Sequence, residues 1–162
     1  MAFYKTVMDD TPVGQVTIYA QDDYIIKIAF GNDENDPFEI TPGVSYAAMD
    51  AMIQLDQYFS GQRKDFSLQI ACDATEFEQT VWTELCKIGY GETITYKELA
   101  KRCGNEKAIR AVGNANRHNE IPIIIPCHRV ISSDGTIGGY SAGTEIKKKL
   151  LEIEAKFKDA EA

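Results

Sequence analysis

The residues with the most chemical potential in this 162-residue chain lie between Ile121 and Val130. There an apolar run, Ile121-Pro122-Ile123-Ile124-Ile125, reaches Pro126 and then Cys127-His128-Arg129 before turning apolar again. A cysteine so flanked sits at the mouth of a core strand or turn. A nearby imidazole could take its proton and raise the thiolate fraction, which a sulfur nucleophile needs. Adjacent residues rarely face each other, so Cys127 and His128 would communicate through a turn or a water. A carboxylate behind the imidazole would fix its tautomer and stabilise the imidazolium. Glu154 or Glu152, in the last helical segment, could supply it. The spacing alone leaves a second reading open, in which Cys127 is a buried, inert thiol like most free cysteines.

Other thiol chemistry is easier to exclude. The four cysteines, at 72, 86, 103 and 127, form no CxxC pair, and the chain has two histidines. No metal site is expected from that set. Asp9 and Asp10 come early and no signal segment precedes them, so the thiols are read as reduced and the chain as cytoplasmic. Cys72, Cys86 and Cys103 lie in apolar contexts and are expected to be structural.

The elements that must position Cys127 follow from periodicity. Val13–Ala20 and Tyr24–Phe30 alternate around the polar turn Gln21-Asp22-Asp23, a β-hairpin pattern, with Phe3–Val7 as a third strand. Residues 31–43 read as loop and 44–59 as a helix stopped by Gly61. Phe66, Leu68 and Ile70 alternate as a short strand. Thr75-Glu76-Phe77-Glu78 carries a capping-box pattern, so a helix follows through Val81, Trp82, Leu85 and Ile88. Thr95-Tyr96-Lys97-Glu98 repeats the pattern and opens a short helix ending near Gly104. A second short helix spans about 106–116. Two such helices joined at a glycine match a helix-turn-helix and equally an ordinary αα-hairpin. In the second helix Ala108, Ala111, Gly113 and Ala115 are small, whereas Lys107, Arg110, Asn114 and Arg117 are long enough to reach phosphates or bases. Thr144–Phe157 is a last amphipathic helix with Ile146, Leu150, Ile153 and Phe157 on one face. The fold class is therefore mixed α/β (α+β): a small antiparallel sheet with a helix over residues 1–74, and a helical lobe containing the helix pair over 75–162.

Composition fits a folded globular chain. Hydrophobic residues make up 44%, charged residues 26% and aromatics 10%, which excludes a disordered chain. The most apolar stretch, 121–131, is too short and too interrupted to span a membrane. Net charge is −8, but unevenly placed. Residues 1–76 carry 4 basic and 13 acidic side chains, and residues 77–131 carry 8 basic and 6 acidic. The middle segment could thus meet an anion that the first segment would repel.

Three stretches carry a specific resemblance. Pro126-Cys127-His128-Arg129-Val130, the upstream Arg110-Ala111-Val112-Gly113-Asn114-Ala115-Asn116 and the downstream Gly138-Gly139-Tyr140-Ser141 resemble the O6-alkylguanine-DNA alkyltransferase family. The resemblance is close over 77–154. It is looser over the first lobe, through Thr11-Pro12-Val13-Gly14 and Gln57-Tyr58-Phe59-Ser60-Gly61, where it implies a ribonuclease-H-like lobe. It implies that the chain acts once, taking the alkyl group from O6 of guanine in duplex DNA onto Cys127, with no cofactor or metal. His128 then matches the base acting through a water, Glu154 the carboxylate that orients it, and Asn119 the tether of that turn. Tyr96 matches the proton donor to the guanine ring. Val130, Tyr140, Ser141 and Ala142 line the substrate pocket, with the carbonyls of Cys127 and Val130 reading the base edge. Arg110 matches the arginine that fills the gap left by the flipped base. Ala108, Ala111 and Ala115 would face the minor groove, and Lys107 and Arg117 would hold the backbone. The expected partner is double-stranded DNA carrying O6-alkylguanine, with O4-alkylthymine left open as a second substrate, no membrane, and a monomeric protein.

Two positions depart from the family pattern. Glu120 stands where a proline usually follows the asparagine, and Ala142 stands where a glycine is common. Two further readings compete: a catalytically silent lesion-binding or DNA-binding regulator, and a thiol hydrolase or redox protein, which would leave Arg110 and the helix pair without a role.

Overall fold

The structure is a computed structural model that describes residues 2–31 and 35–160. The chain divides into two compact units, one built from the residues up to Cys72 and one spanning Asp73–Asp159. Together they make the mixed α/β class expected from the sequence.

The first unit is a three-stranded antiparallel sheet, β1 (Phe3–Thr11), β2 (Gly14–Gln21) and β3 (Tyr24–Phe30), in that order. Asp22 has φ of 51° in the two-residue turn between β2 and β3. That left-handed conformation suits a tight hairpin, and Asp tolerates it better than most residues. The middle strand β2 is buried on both faces, since Thr17 and Tyr19 are covered along with Val16, Ile18 and Ala20. Helix α1 (Tyr46–Phe59) starts where the Ser45 hydroxyl accepts from the Ala48 N–H, and it buries Ala48, Ala51, Leu55 and Tyr58. The strand expected over 66–70 does not form. Only Ile70 bridges to Ile25. Gln54 takes the backbone groups of Ser67 through its side chain, so they are satisfied without a ladder.

The second unit begins with α2 (Glu76–Leu85), and both halves of the Thr75–Glu78 capping box are present. Ile88, placed by periodicity on this helix, lies beyond its end but stays in the core. A two-residue parallel pair, β4 (Ile94–Thr95) and β5 (Val130–Ile131), follows. Thr95 ends β4 and also caps α3 (Tyr96–Arg102), so Tyr96 emerges directly beside β5. Gly104, with φ of 94°, turns the chain toward α4 (Ile109–Arg117). This second helix starts three residues later than expected. Asn105 accepts the Lys107 N–H on its side chain and the Ala108 N–H on its carbonyl, forming a local turn in place of a first helical turn. Lys107 and Ala108 therefore precede the helix. A turn of 3-10 helix at Cys127–Arg129 leads into β5, and α5 (Thr144–Phe157) closes the unit. The buried stripe of α5 is Lys147, Leu150 and Glu154. The apolar set expected there, apart from Leu150, is only half-buried.

Candidate active site

The Cys127–Arg129 turn is held by what surrounds it. Asn119 clips the preceding loop at both ends: its Oδ1 accepts the Ile121 N–H (3.0 Å) and its Nδ2 donates to the Ile125 carbonyl (2.8 Å). Inside that clip Ile123 adopts φ of 73°, a conformation that β-branched residues avoid. Such strain persists because Ile121, Ile123 and Ile125 are all buried. The chain thus arrives at Pro126 on a fixed course.

Cys127 is 3% exposed. Its thiol donates to the Tyr140 hydroxyl (3.7 Å), and Asn119 also reaches the sulfur. Burial pushes the thiol above its ordinary range, against the pull of those hydrogen bonds and of the Lys147 charge. The resting site therefore holds a thiol.

Behind it, His128 Nε2 lies 2.5 Å from Glu154 Oε2, with both groups fully buried. Burial alone would raise the Glu154 carboxyl, but its His128 contact and the Arg129 fork hold it well below the usual carboxylate range. An ionised Glu154 can only accept, so Nε2 carries the proton of a neutral imidazole and Nδ1 keeps its lone pair. Burial also pushes His128 down, and Glu154 opposes that. Nδ1 is buried without a protein partner. Glu152, the other candidate carboxylate, is exposed, since residues two apart fall on opposite sides of a helix.

Three groups with no role assigned from sequence turn out to build this site. Arg129 donates from Nε and Nη2 to the two Glu154 oxygens (2.8 and 3.1 Å) and from Nη1 to the Ile88 carbonyl (2.6 Å). Lys147 is fully buried and donates to the carbonyls of Val130 (2.6 Å) and Gly139 (3.2 Å). Burial lowers it to about 8. Asn116 donates to the Cys127 carbonyl (3.3 Å). The carbonyls expected to read a base edge thus already have protein donors, with the Val130 N–H also bonded to Cys127 O. The signal for Lys147 was available: a lysine seven residues before Glu154 falls on the same helix face.

Tyr96 links this centre to the surface. Its ring lies 5.8 Å from the Lys147 ammonium. Burial raises its phenol, against the pull of the Arg117 charge. Tyr96 also lines an open groove of about 800 Å³ with Lys107, Ile109, Arg110, Gly113 and Arg117, bordered by Ser132 and Ser133. Arg110, Ala111 and Arg117 are exposed on α4, Arg117 donating to Asn114, while Ala108 is half-buried at the helix start. Ala115 does not join them. It is 3% exposed on the core side, where its carbonyl accepts the Trp82 indole N–H (2.9 Å). Its small size serves helix packing against α2, so the expectation that it faces DNA is corrected. Ser141 and Ala142 follow Tyr140 in the turn before α5, at the rim of the site and more accessible than Cys127. Among the described residues no cluster of His, Cys, Asp and Glu could hold a metal.

Comparison with known proteins agrees along the whole chain. Residues 76–156 match the family described as 6-O-methylguanine DNA methyltransferase, DNA binding domain, and residues 3–72 match its ribonuclease-like domain. A methylated-DNA–protein-cysteine methyltransferase of Methanosarcina barkeri is 53% identical over 105 residues, 65% of this chain and 66% of that protein. That local match spans about two thirds of the archaeal relative. The constitutive enzyme of the same name from Bacillus subtilis is 38% identical, covering 95% of this chain and 96% of its own. Mycobacterium tuberculosis OGT in complex with DNA superposes with a TM-score of 0.87 at 34% identity, over 95% of this chain and 94% of that one. With both family domains matched in order and a relative similar over nearly its full length, the chain belongs to the 6-O-methylguanine DNA methyltransferase family.

Proposed function

We propose that this protein repairs DNA by direct reversal, moving the alkyl group from O6 of a guanine in duplex DNA onto Cys127 in a single, stoichiometric turnover. The observation that carries the reading is the junction at Tyr96. One side chain both lines the basic groove and lies against the buried Lys147 of the centre that holds Cys127 and the His128–Glu154 pair. A groove of that kind suits a phosphate backbone, and a buried thiol suits a base turned out of the stack.

The chemistry follows from the proton positions. The Cys127 proton leaves to His128 Nδ1. A water between Sγ and Nδ1 would give that buried nitrogen its partner and carry the proton. Sulfur attacks the alkyl carbon, the S–C bond forms, and the C–O6 bond breaks with its electron pair staying on guanine. Tyr96 gives the leaving base a proton at a ring nitrogen, so it departs neutral. Glu154 stabilises the imidazolium, and Arg129 keeps Glu154 ionised. Asn119 holds the turn, and Tyr140, Ser141, Ala142 and Val130 border the alkyl pocket. Arg110 fills the gap in the stack, with Ala108 and Ala111 facing the minor groove and Lys107 and Arg117 against the backbone. The thioether is not reopened, so each molecule acts once, and no cofactor enters this balance. None of the four cysteines forms a disulfide. A thiol acceptor needs a reducing compartment, so we place the protein in the cytoplasm as a monomer on DNA. No helix among the described residues is long and apolar enough to cross a membrane.

Intact-protein and peptide mass spectrometry after mixing with duplex DNA carrying one O6-methylguanine tests this. One methyl gained per chain on Cys127, with guanine restored, is the expected result. Lesion binding without any mass gain would instead assign a damage-binding role and overturn the transfer reading.

A further inference from the structure

The groove beside Tyr96 contains one side chain that phosphate binding does not require. Ile109 is 42% exposed and sits between Lys107 and Arg110 in the groove lining. It is the first residue of α4, where no side chain caps the helix. A β-branched residue adds nothing to helix stability at that position. Among the described residues of its unit, the other large apolar side chain left exposed is Phe77, which is not in the groove lining. Single exposed isoleucines are common on protein surfaces; what sets Ile109 apart is its place among the cations of the groove, where it offers a partner an apolar contact.

The helix register says which part of the partner that is. Ile109, Gly113 and Arg117 are four residues apart and share one stripe. Gly113 has no Cβ, and one added there would lie 3.9 Å from the Tyr96 ring, so this stripe is the one that faces Tyr96. The stripe therefore runs from Ile109 past the bare backbone of Gly113 to Tyr96, the groove residue that lies against Lys147. Extrusion of a base exposes the apolar faces of its neighbours, which a charged side chain covers poorly and an aliphatic one covers well. The stiff Ile109 side chain also loses little rotamer freedom on contact.

We infer that Ile109 is the apolar wedge of this groove, a positioning residue that packs against the opened base step and holds the damaged nucleotide out, beside Arg110. The inference rests on the transfer reading above. It is tested with single-turnover methyl transfer from O6-methylguanine placed in a duplex and in a single strand, using wild type, Ile109→Ala and Ile109→Leu. Extrusion costs pairing in the duplex alone and more stacking there than in a single strand. I109A is therefore expected to slow duplex transfer about tenfold while changing single-strand transfer less than about twofold, and I109L to recover most of the loss. A 2-aminopurine base next to the lesion should report less opening with I109A. Because the side chain is only partly covered, melting should move little, and a folding defect would slow transfer from both substrates alike. Equal duplex rates for wild type and I109A would overturn the wedge, as would an equal loss on both substrates, which would make Ile109 a support of the reaction pocket. Wild-type protein that transfers nothing from either substrate would defeat the transfer reading and the wedge with it, and so is distinguishable from a failure of the wedge alone.

Discussion

Five ionisable side chains, Cys127, His128, Arg129, Lys147 and Glu154, are buried around one small turn, and their charges are interdependent. Glu154 serves two partners, so its loss has two costs. Glu154→Gln leaves the Arg129 guanidinium buried without an anion, which should destabilise the protein by about 3–5 kcal/mol at pH 7. The folded-state carboxyl sits below its unfolded value of 4.5. Its stabilisation is therefore complete above that value and lost as pH falls toward the folded-state value. Urea denaturation should show the gap between wild type and E154Q shrinking from pH 6 to pH 3.5; a constant gap would mean that Glu154 is not ionised in the folded protein. Lys147 has the opposite sign. Burial holds it near 8 in the folded state against 10.5 when free. The unfolded chain binds that proton more tightly, so folding is penalised at neutral pH and relieved as pH rises from about 8 toward 10.5. Relative to Lys147→Met, wild type should gain stability between pH 7.5 and 9.5. Parallel stability curves for the two proteins would show that the ammonium is not desolvated.

At the scale of elements, the sequence pattern was most legible where a local rule decides the outcome. The Thr75–Glu78 capping box started α2 and the Thr95 N-cap started α3, alternation marked β2 and β3, and Cys127-His128 singled out the turn that holds a buried thiol. It failed where a distant group overrides the local signal. Gln54 satisfied the backbone near Ser67, and a period-2 pattern stayed unpaired. Asn105 folded 105–108 into a turn and delayed α4. Lys147 looked like any lysine on an amphipathic helix, because its burial depends on carbonyls 8 and 17 residues away. Arg129 likewise needed Glu154 and Ile88, brought there by α5 and the end of α2. The two faces of α4 show the same limit: Ala111 and Ala115 are equally small, but only one meets solvent. Ala115→Leu should overpack the contact with Trp82 and cost about 1–3 kcal/mol of stability. Ala111→Leu should leave the melting curve unchanged and weaken duplex binding by crowding the groove face. Melting and DNA titration of the pair check this, and the assignment of faces fails if the two effects are exchanged.

On the scale of the whole molecule, charge and cooperativity decide how the protein meets DNA and how it ends. The net charge of −8 is carried by the first unit and the C-terminal residues, because residues 73–159 hold 13 basic and 13 acidic side chains. Attraction to DNA then depends on placement, chiefly of Lys107, Arg110 and Arg117 in one groove. With Arg110 in the stack, the phosphate contacts of Lys107 and Arg117 predict a log–log salt slope of about −2 for duplex affinity. A slope steeper than about −5 would mean that cations outside the groove take part. Once the methyl group is on sulfur, the energetics of the second unit change. The thiol is enclosed, and it donates to Tyr140. Methylation removes that donor, adds a carbon to a packed site and places volume against the clip made by Asn119. Overpacking of this kind costs about 1–3 kcal/mol, which for a unit of this size corresponds to a fall in Tm of about 5–15 °C. The single tryptophan, Trp82, is buried in the same unit and bonded to α4, so its fluorescence follows that unit directly. Thermal melts of free and S-methylated protein, read at Trp82, should differ by that amount, with the methylated form lower. An equal or higher transition would show that the pocket accommodates the methyl group without strain, and that spent protein is not marked for removal by its own instability.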